Sequence, residues 1–576
     1  MTQLDYLIIL GYAAGLLVVG AIFTRKIKDS ADMFVAGGQS PWWVSGLSGF
    51  MTMFSAGTFV VWGGIAYRSG LVGISICLGN GVAVLIAGYL VAGHWRRLGV
   101  ATAAEYFELR FGEAAVRFYT VFNLLYKMVA IAVALYSIAV LVCALTPLSE
   151  GAPFRDAATG HLAVYWAIVA CGVIVVAYTV AGGLWAVLMT DVLQFLILTL
   201  CVLVVVPLSL AQVGGPGDFA AAAPAGFFSP ATNEFTWWFL MGWVGIQFAS
   251  VGGEWAFAQR YLCVPTPKDA RKGAYLFGIL YLVSPFVWML PPMLYRVVNP
   301  EANPEEAYIL ACQSVLPAGM VGLMIAAMFS ATASMVDSQL NVFAGVLTRD
   351  FYHRLFHPEA SEKQLVVVGR IIAAVLGAGL IGGTLAVPWL GGAEQTALGI
   401  AALLIGPLML PTIWGLFSKR VGRSCVWLTV VIGFATSGLI KFGLTEGGWF
   451  DRIAGLSGLT TWVQGHLRTV ETLAAVLVPL AVLVMLELLS RGTDAGWNRV
   501  ARRMAQQQQR PVPKPSALPA LMVAWSMAVL GLVMAVLACF DRQQWHVLAS
   551  FSGALFLVAG LTAWFSRMHR RFGARR

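Results

Sequence analysis

Residues 185–211 read WAVLMTDVLQFLILTLCVLVVVPLSLA, an apolar run interrupted by one charged residue, Asp191. About 20 apolar residues in helix cross the hydrocarbon core of a bilayer, so this stretch is long enough to span it. A carboxylate near the centre of such a helix costs about 2.5–3.5 kcal/mol on insertion scales, and it persists where it pairs or lines a polar path. Outward from this segment, runs of similar character occur at about 5–23, 41–66, 71–93, 118–143, 162–180, 236–258, 273–296 and 313–348. Six more follow at about 366–388, 395–416, 424–441, 472–490, 517–539 and 545–566. Fifteen runs with short connections predict an all-α integral membrane protein of about 15 transmembrane helices.

Composition agrees. Of 576 residues, 59% are hydrophobic and 11% charged, and mean hydropathy is +0.79. A soluble domain carries about 25% charged residues, so a set of soluble domains is excluded. The net charge of +10 follows from topology and needs no nucleic acid. With the N-terminus outside and the C-terminus in the cytoplasm, 29 of the 37 Lys and Arg fall on cytoplasmic segments, seven fall outside, and Lys127 remains within a span. That bias is the positive-inside pattern, and it places the chain in the cell's inner (plasma) membrane. The first run has no basic residue before it and Arg25, Lys26 and Lys28 after it, so it reads as a retained helix and not a signal peptide.

The eight cysteines are scattered, without paired spacing or a His cluster, which predicts neither disulfides nor a metal site. No Walker, GxGxxG, HExxH or nucleophile-elbow motif occurs in the loops, so the chain reads as neither an ATP-driven pump nor an enzyme. Residues 491–516, with Gln506–Gln509 and Pro511, Pro513 and Pro515, read as a flexible basic linker.

Polar chemistry inside the spans marks candidate sites. The second run holds Gly46, Gly49, Ser55, Gly57, Thr58, Gly63 and Gly64, and the seventh holds Ser250, Gly252, Gly253 and Glu254. Both are weak in helix propensity and are candidates for unwound backbone that binds ion and solute; close helix packing by small residues is the competing reading. Asp337 joins Ser330, Ser334 and Asn341 in one stripe along the ninth span. Glu254 is placed to pair with Arg260, and Lys127, with Asn123 and Tyr126, to snorkel to the cytoplasmic interface.

Four strings in order then resemble the sodium:solute symporter family, which includes sodium/glucose and sodium/proline cotransporters. They are Ser30-Ala-Asp-Met-Phe-Val-Ala-Gly-Gly38 with Pro41-Trp42-Trp43, Gly182-Gly-Leu-Trp-Ala-Val187 with Thr190-Asp-Val-Leu-Gln194, Gln259–Gly273, and Ala326–Tyr352. The resemblance implies a LeuT-like core of two inverted five-helix repeats, 41–211 and 236–417. A helix and cytoplasmic link would precede it (1–40) and accessory helices follow (424–576). It implies a Na+ site from the carbonyls of Met51, Phe54 and Ala327 and the hydroxyl of Ser330, with Asp191 on the ion's inward route and Ser334 and Asp337 along the path. The family's second hydroxyl falls on Ala331, a departure that removes one ligand, and Thr332 lies about 100° further round the helix. Solute is expected against Ser55, Thr58, Cys77, Asn80, Glu254, Trp255 and Tyr281; at Cys77, Asn80, Glu254 and Tyr281 the resemblance implies that glucose-type contacts are replaced. The expected function is cation-coupled symport of a small polar organic solute, with Na+ as coupling ion and no other cofactor. The alternatives are a proton-coupled or uncoupled carrier and a transporter-like solute sensor.

Overall fold

Inside a bilayer every backbone N–H and C=O must find its partner within the protein, and the helix achieves this within one segment. The computed structural model describes residues 2–24, 38–179, 184–445, 447–451, 453, 455–509, 511–516, 518–540 and 545–573. Arg25, Lys26, Lys28, residues 30–37, Gly182 and Gly183 lie outside the described residues, as do Arg452, Arg510, Arg542, Arg575 and Arg576.

Among the described residues the fold is helical, with two isolated β-bridges in the 145–162 loop. In chain order the helices are α1 (Gln3–Thr24), α2 (Trp42–Thr52), α3 (58–69), α4 (Leu71–Leu98), α5 (Glu113–Ala144) and α6 (Val164–Thr179). Next come α7 (Leu184–Val213), α8 (Trp237–Gly253), α9 (Trp255–Leu262), α10 (Pro267–Val298), α11 (Met320–His353) and α12 (Val367–Leu390). The last six are α13 (Gly392–Phe417), α14 (Ser424–Gly443), α15 (Leu467–Leu489), α16 (Ala495–Gln508), α17 (Leu518–Cys539) and α18 (Trp545–Trp564).

Among the described residues eleven helices are long and apolar enough to cross a membrane, fewer than the fifteen runs. The other four runs have identifiable forms. Run 5–23 lies within the helix α1, and run 162–180 gives the short α6. Runs 41–66 and 236–258 are each broken in mid-course, into α2 and α3 and into α8 and α9. The two weak stretches are therefore real interruptions.

Small residues also act as packing surfaces here, so the glycines serve close packing as well as the interruptions. A Cβ on Gly46 of α2 would sit 2.7 Å from the Gly273 carbonyl oxygen of α10, and one on Gly253 2.6 Å from the Met409 carbonyl oxygen of α13. Only hydrogen at these positions allows the backbones to approach so closely.

Polar staples hold the ends of the bundle. Asp5, which is buried, accepts from the backbone N–H groups of Gly319 and Gly322 at 2.8 Å each, capping the start of α11. Arg110, wholly buried at the end of the short helix Ala103–Phe111, donates to the carbonyls of Gly415, Ser418 and Val421 and to Asp494. A cation at the carbonyl end of α13 satisfies groups that the helix itself cannot.

The stretch 491–516 is not a flexible linker throughout. Asp494 accepts from the Gly496 N–H and starts α16. Arg499 then donates to the Leu109 carbonyl and Arg503 pairs with Glu105, so its basic residues dock on the short helix 103–111.

Gly46→Ala is expected to lower the thermal unfolding temperature of the detergent-purified protein, in line with overpacking costs of about 1–3 kcal/mol. Gly560→Ala in α18, with open space at its Cβ position, is expected to leave it unchanged.

Candidate functional site

The first break interrupts the helical ladder between Thr52 and Thr58, and its polar backbone must be satisfied locally. Thr52 turns its hydroxyl back to the Ser48 carbonyl, and Phe54 N–H donates to the Met51 carbonyl at 2.9 Å. Gly57 N–H donates to Ser55 Oγ at 3.1 Å. The decisive partner is distant in sequence: Ala56 N–H donates to Thr332 Oγ1 at 3.0 Å, while that hydroxyl donates to the Met328 carbonyl. Thr332 therefore pins the break to α11 and faces away from the Ser330 side.

At the second break Glu254 takes extended backbone angles between α8 and α9. The carbonyls freed at the end of α8 find side chains: Trp95 Nε1 donates to the Gly252 carbonyl at 2.8 Å, and the Tyr261 hydroxyl to that of Val251 at 3.3 Å.

A cavity of about 200 Å³ lies against both breaks. Of the predicted solute residues, Ser55, Thr58, Asn80 and Glu254 line it. Trp255 lines a neighbouring void of about 10 Å³. Cys77 is buried outside the lining, and Tyr281 packs on Phe50 with ring centroids 4.7 Å apart. Residues that sequence reasoning missed complete the wall, among them Lys127, Gln247 and Trp243, whose indole N–H donates to Asn80 Oδ1 at 2.8 Å.

The charges on this wall pair otherwise than expected. Lys127 does not snorkel to an interface; it is 6% exposed and forms an ion pair with Glu254, itself 3% exposed. Glu254 therefore does not pair with Arg260. Arg260 lies 3.6 Å from Asp191 and donates to Ser48 Oγ at 3.2 Å.

Beside the first break runs a polar ladder between the antiparallel helices α7 and α11. Gln194 Nε2 donates to Ser330 Oγ at 2.6 Å, and Ser334 Oγ donates to Asp191 Oδ1 at 3.2 Å. The spacings match, because residues three apart on α7 meet residues four apart on α11, one turn on each helix. Asp191 also accepts from Ser48 of α2 at 2.6 Å, so this carboxylate joins four helices. Met51 shares a void of about 10 Å³ with Asp191, Arg260 and Ser334, room for about one water. Phe54 packs between Phe50 and Phe59, and Ala327 is fully buried on α11. Asp337 lies lower on the stripe and accepts from Asn341 Nδ2 at 2.6 Å.

A model of the sodium:solute symporter family matches residues 33–433. The chain is 29% identical to a sodium/sialic acid symporter of Aliivibrio fischeri over 464 residues, covering 75% of this chain and 86% of that one. It is 27% identical to sodium/myo-inositol cotransporter 2 of Oryctolagus cuniculus over 487 residues, covering 74% and 68%. Among solved structures, a substrate-bound, outward-open Na+-coupled sialic acid symporter superposes with a TM-score of 0.63 at 22% identity, covering 83% of this chain and 98% of that one. That likeness is one of fold.

Removing one member of a buried ion pair strands the other and costs about 3–5 kcal/mol, whereas removing both costs far less. Lys127→Met and Glu254→Gln are each expected to lower the unfolding temperature, and the double variant to recover most of the loss. Additive losses in the double variant would show that the two charges are not coupled.

Proposed function

The chain belongs to the sodium:solute symporter family, and we propose that Na+ is the ion that draws its solute through the cavity between the two breaks. It is a secondary active transporter that works by alternating access, with a cation gradient as the source of energy. The two broken helices head the proposed inverted repeats, 41–211 and 236–417, and the solute lies between them. Discontinuous helices suit this task because their free carbonyls attract a cation and their N-termini attract anionic groups.

One observation carries the placement of the ion: Met51 at the end of α2 shares a small void with Ser334 of α11, one turn from Ser330 on the same face. This supports a site formed by the carbonyls of Met51, Phe54 and Ala327 with the Ser330 hydroxyl. A hard cation requires several oxygens, and Ala331 supplies no side-chain oxygen. Gln194 stands where a substitute is needed. Its amide nitrogen touches Ser330, while its amide oxygen is buried without a hydrogen-bond partner. A half-turn of the amide exchanges the two atoms and brings an oxygen beside Ser330. In this reading Gln194 replaces the hydroxyl that Ala331 lacks.

Below that level, Asp191 offers the next negative charge on the inward route. Its contacts with Ser48, Ser334 and Arg260 hold α2, α7, α9 and α11 together on the side that the Lys and Arg distribution assigns to the cytoplasm. An ion that reaches Asp191 competes with Arg260 and loosens that closure. The solute is small and polar, and the membrane is the cell's inner (plasma) membrane, with the N-terminus outside and the C-terminus inside. The sialic acid and inositol relatives support a hydroxylated or charged solute of modest size.

Purified protein in NaCl is expected to show a saturable rise in unfolding temperature that KCl and choline chloride do not give. Ser330→Ala and Gln194→Ala should each weaken the apparent Na+ affinity about tenfold, the equivalent of 1.4 kcal/mol. Adding Ala331→Ser to Gln194→Ala should restore it. A response to pH without a response to Na+ would move coupling to Glu254 and Asp337.

A further inference from the structure

The cavity wall contains one buried cation and one buried anion, Lys127 of α5 and Glu254 at the break between α8 and α9. Stability does not account for them. Apolar residues of the same volume would hold a bundle together at least as well as a buried ion pair, and charges within membrane helices are costly.

Each member also retains bonding capacity. The Lys127 ammonium has three donors; Glu254 takes up one, and the Tyr126 ring lies 4.7 Å away. The Glu254 carboxylate accepts from Ser250 Oγ at 3.3 Å. Although it stands at the start of α9, its side chain makes no capping bond there. It is held by the pair and not by the helix end.

Resting on the reading of this cavity as the solute site, we infer that the solute is a zwitterion of the α-amino acid type. Its carboxylate takes the donors of Lys127, and its ammonium takes Glu254 with Ser250. The two charges satisfy one another when the cavity holds no solute, and a zwitterion replaces each partner with one of the same sign. No buried charge is left alone at any stage. A plain anion gains Lys127 only by stranding Glu254, and a plain cation does the reverse. A neutral polyol leaves the pair closed and makes no use of either charge. Trp62 and Trp243, with ring centroids 5.4 Å apart, give the wall an aromatic surface for the rest of the solute.

The test follows the unfolding temperature of the full chain in NaCl with each of the twenty α-amino acids, with myo-inositol and with N-acetylneuraminate. At least one amino acid should stabilise the protein and drive Na+-dependent uptake into proteoliposomes. Its methyl ester, which lacks the carboxylate, and its N-acetyl form, which lacks the ammonium, should each bind at least 100-fold more weakly. The doubly neutral Lys127→Met/Glu254→Gln protein should keep its Na+ response and lose the amino acid response. These ligand edits leave the protein unaltered, so a variant that fails to fold does not blunt the test. Stabilisation by myo-inositol or N-acetylneuraminate but by no amino acid overturns the inference and leaves Na+ symport standing. So does a Na+ response with silence from all twenty, and so does full binding of the ester or the N-acetyl form. A response to an amino acid without any effect of Na+ upholds the inference and overturns the proposed ion.

Discussion

In a membrane interior, a backbone group released from a helix has no water to turn to. The architecture around the cavity follows from that constraint. Two helices are interrupted at mid-course, and each interruption frees donors or acceptors that side chains from other helices must meet. Thr332 meets Ala56 N–H, Trp95 meets the Gly252 carbonyl and Tyr261 meets that of Val251. Each cross-chain bond fixes an irregular segment against a regular one. The breaks are thereby held in place, and α4 and α11 become the supports on which they rest.

The same economy governs the charges. Four titratable residues, Lys127, Asp191, Glu254 and Arg260, are each less than a tenth exposed within the bundle. They resolve into two separate pairs, Lys127 with Glu254 at the cavity and Arg260 with Asp191 beyond it. The first pair lies on the cavity wall and the second beside the polar ladder of α7 and α11. A cavity wall with one charge of each sign lies next to a ladder of oxygens with a carboxylate at its lower rung. Gln194 and Ser330 form the upper rung of that ladder.

Much of this was legible in residue order. The apolar runs announced a helical membrane protein, and the glycine and serine content of runs two and seven marked both breaks. The stripe from Ser330 to Asn341 marked the inward face of α11. Residues 495–508 were misread, because Gln and Arg carry little hydrophobic signal although Asp494 is a sound helix start. Asp5 and Arg110 gave no sign of their role as end caps, since each acts on carbonyls or N–H groups over 300 residues away.

By itself the sequence determined what kind of environment the chain occupies and which helices are weak, because hydropathy and propensity are local properties summed over one segment. It also placed Asp191 and Glu254 where a charge needs a partner. Only the tertiary structure decided who those partners are. Pairing depends on distances across helices between residues 60 to 130 positions apart, and a sequence carries the need for a counter-charge without its address. Glu254 lay six residues from Arg260 and 127 from Lys127, and the break in the chain turned it toward the latter.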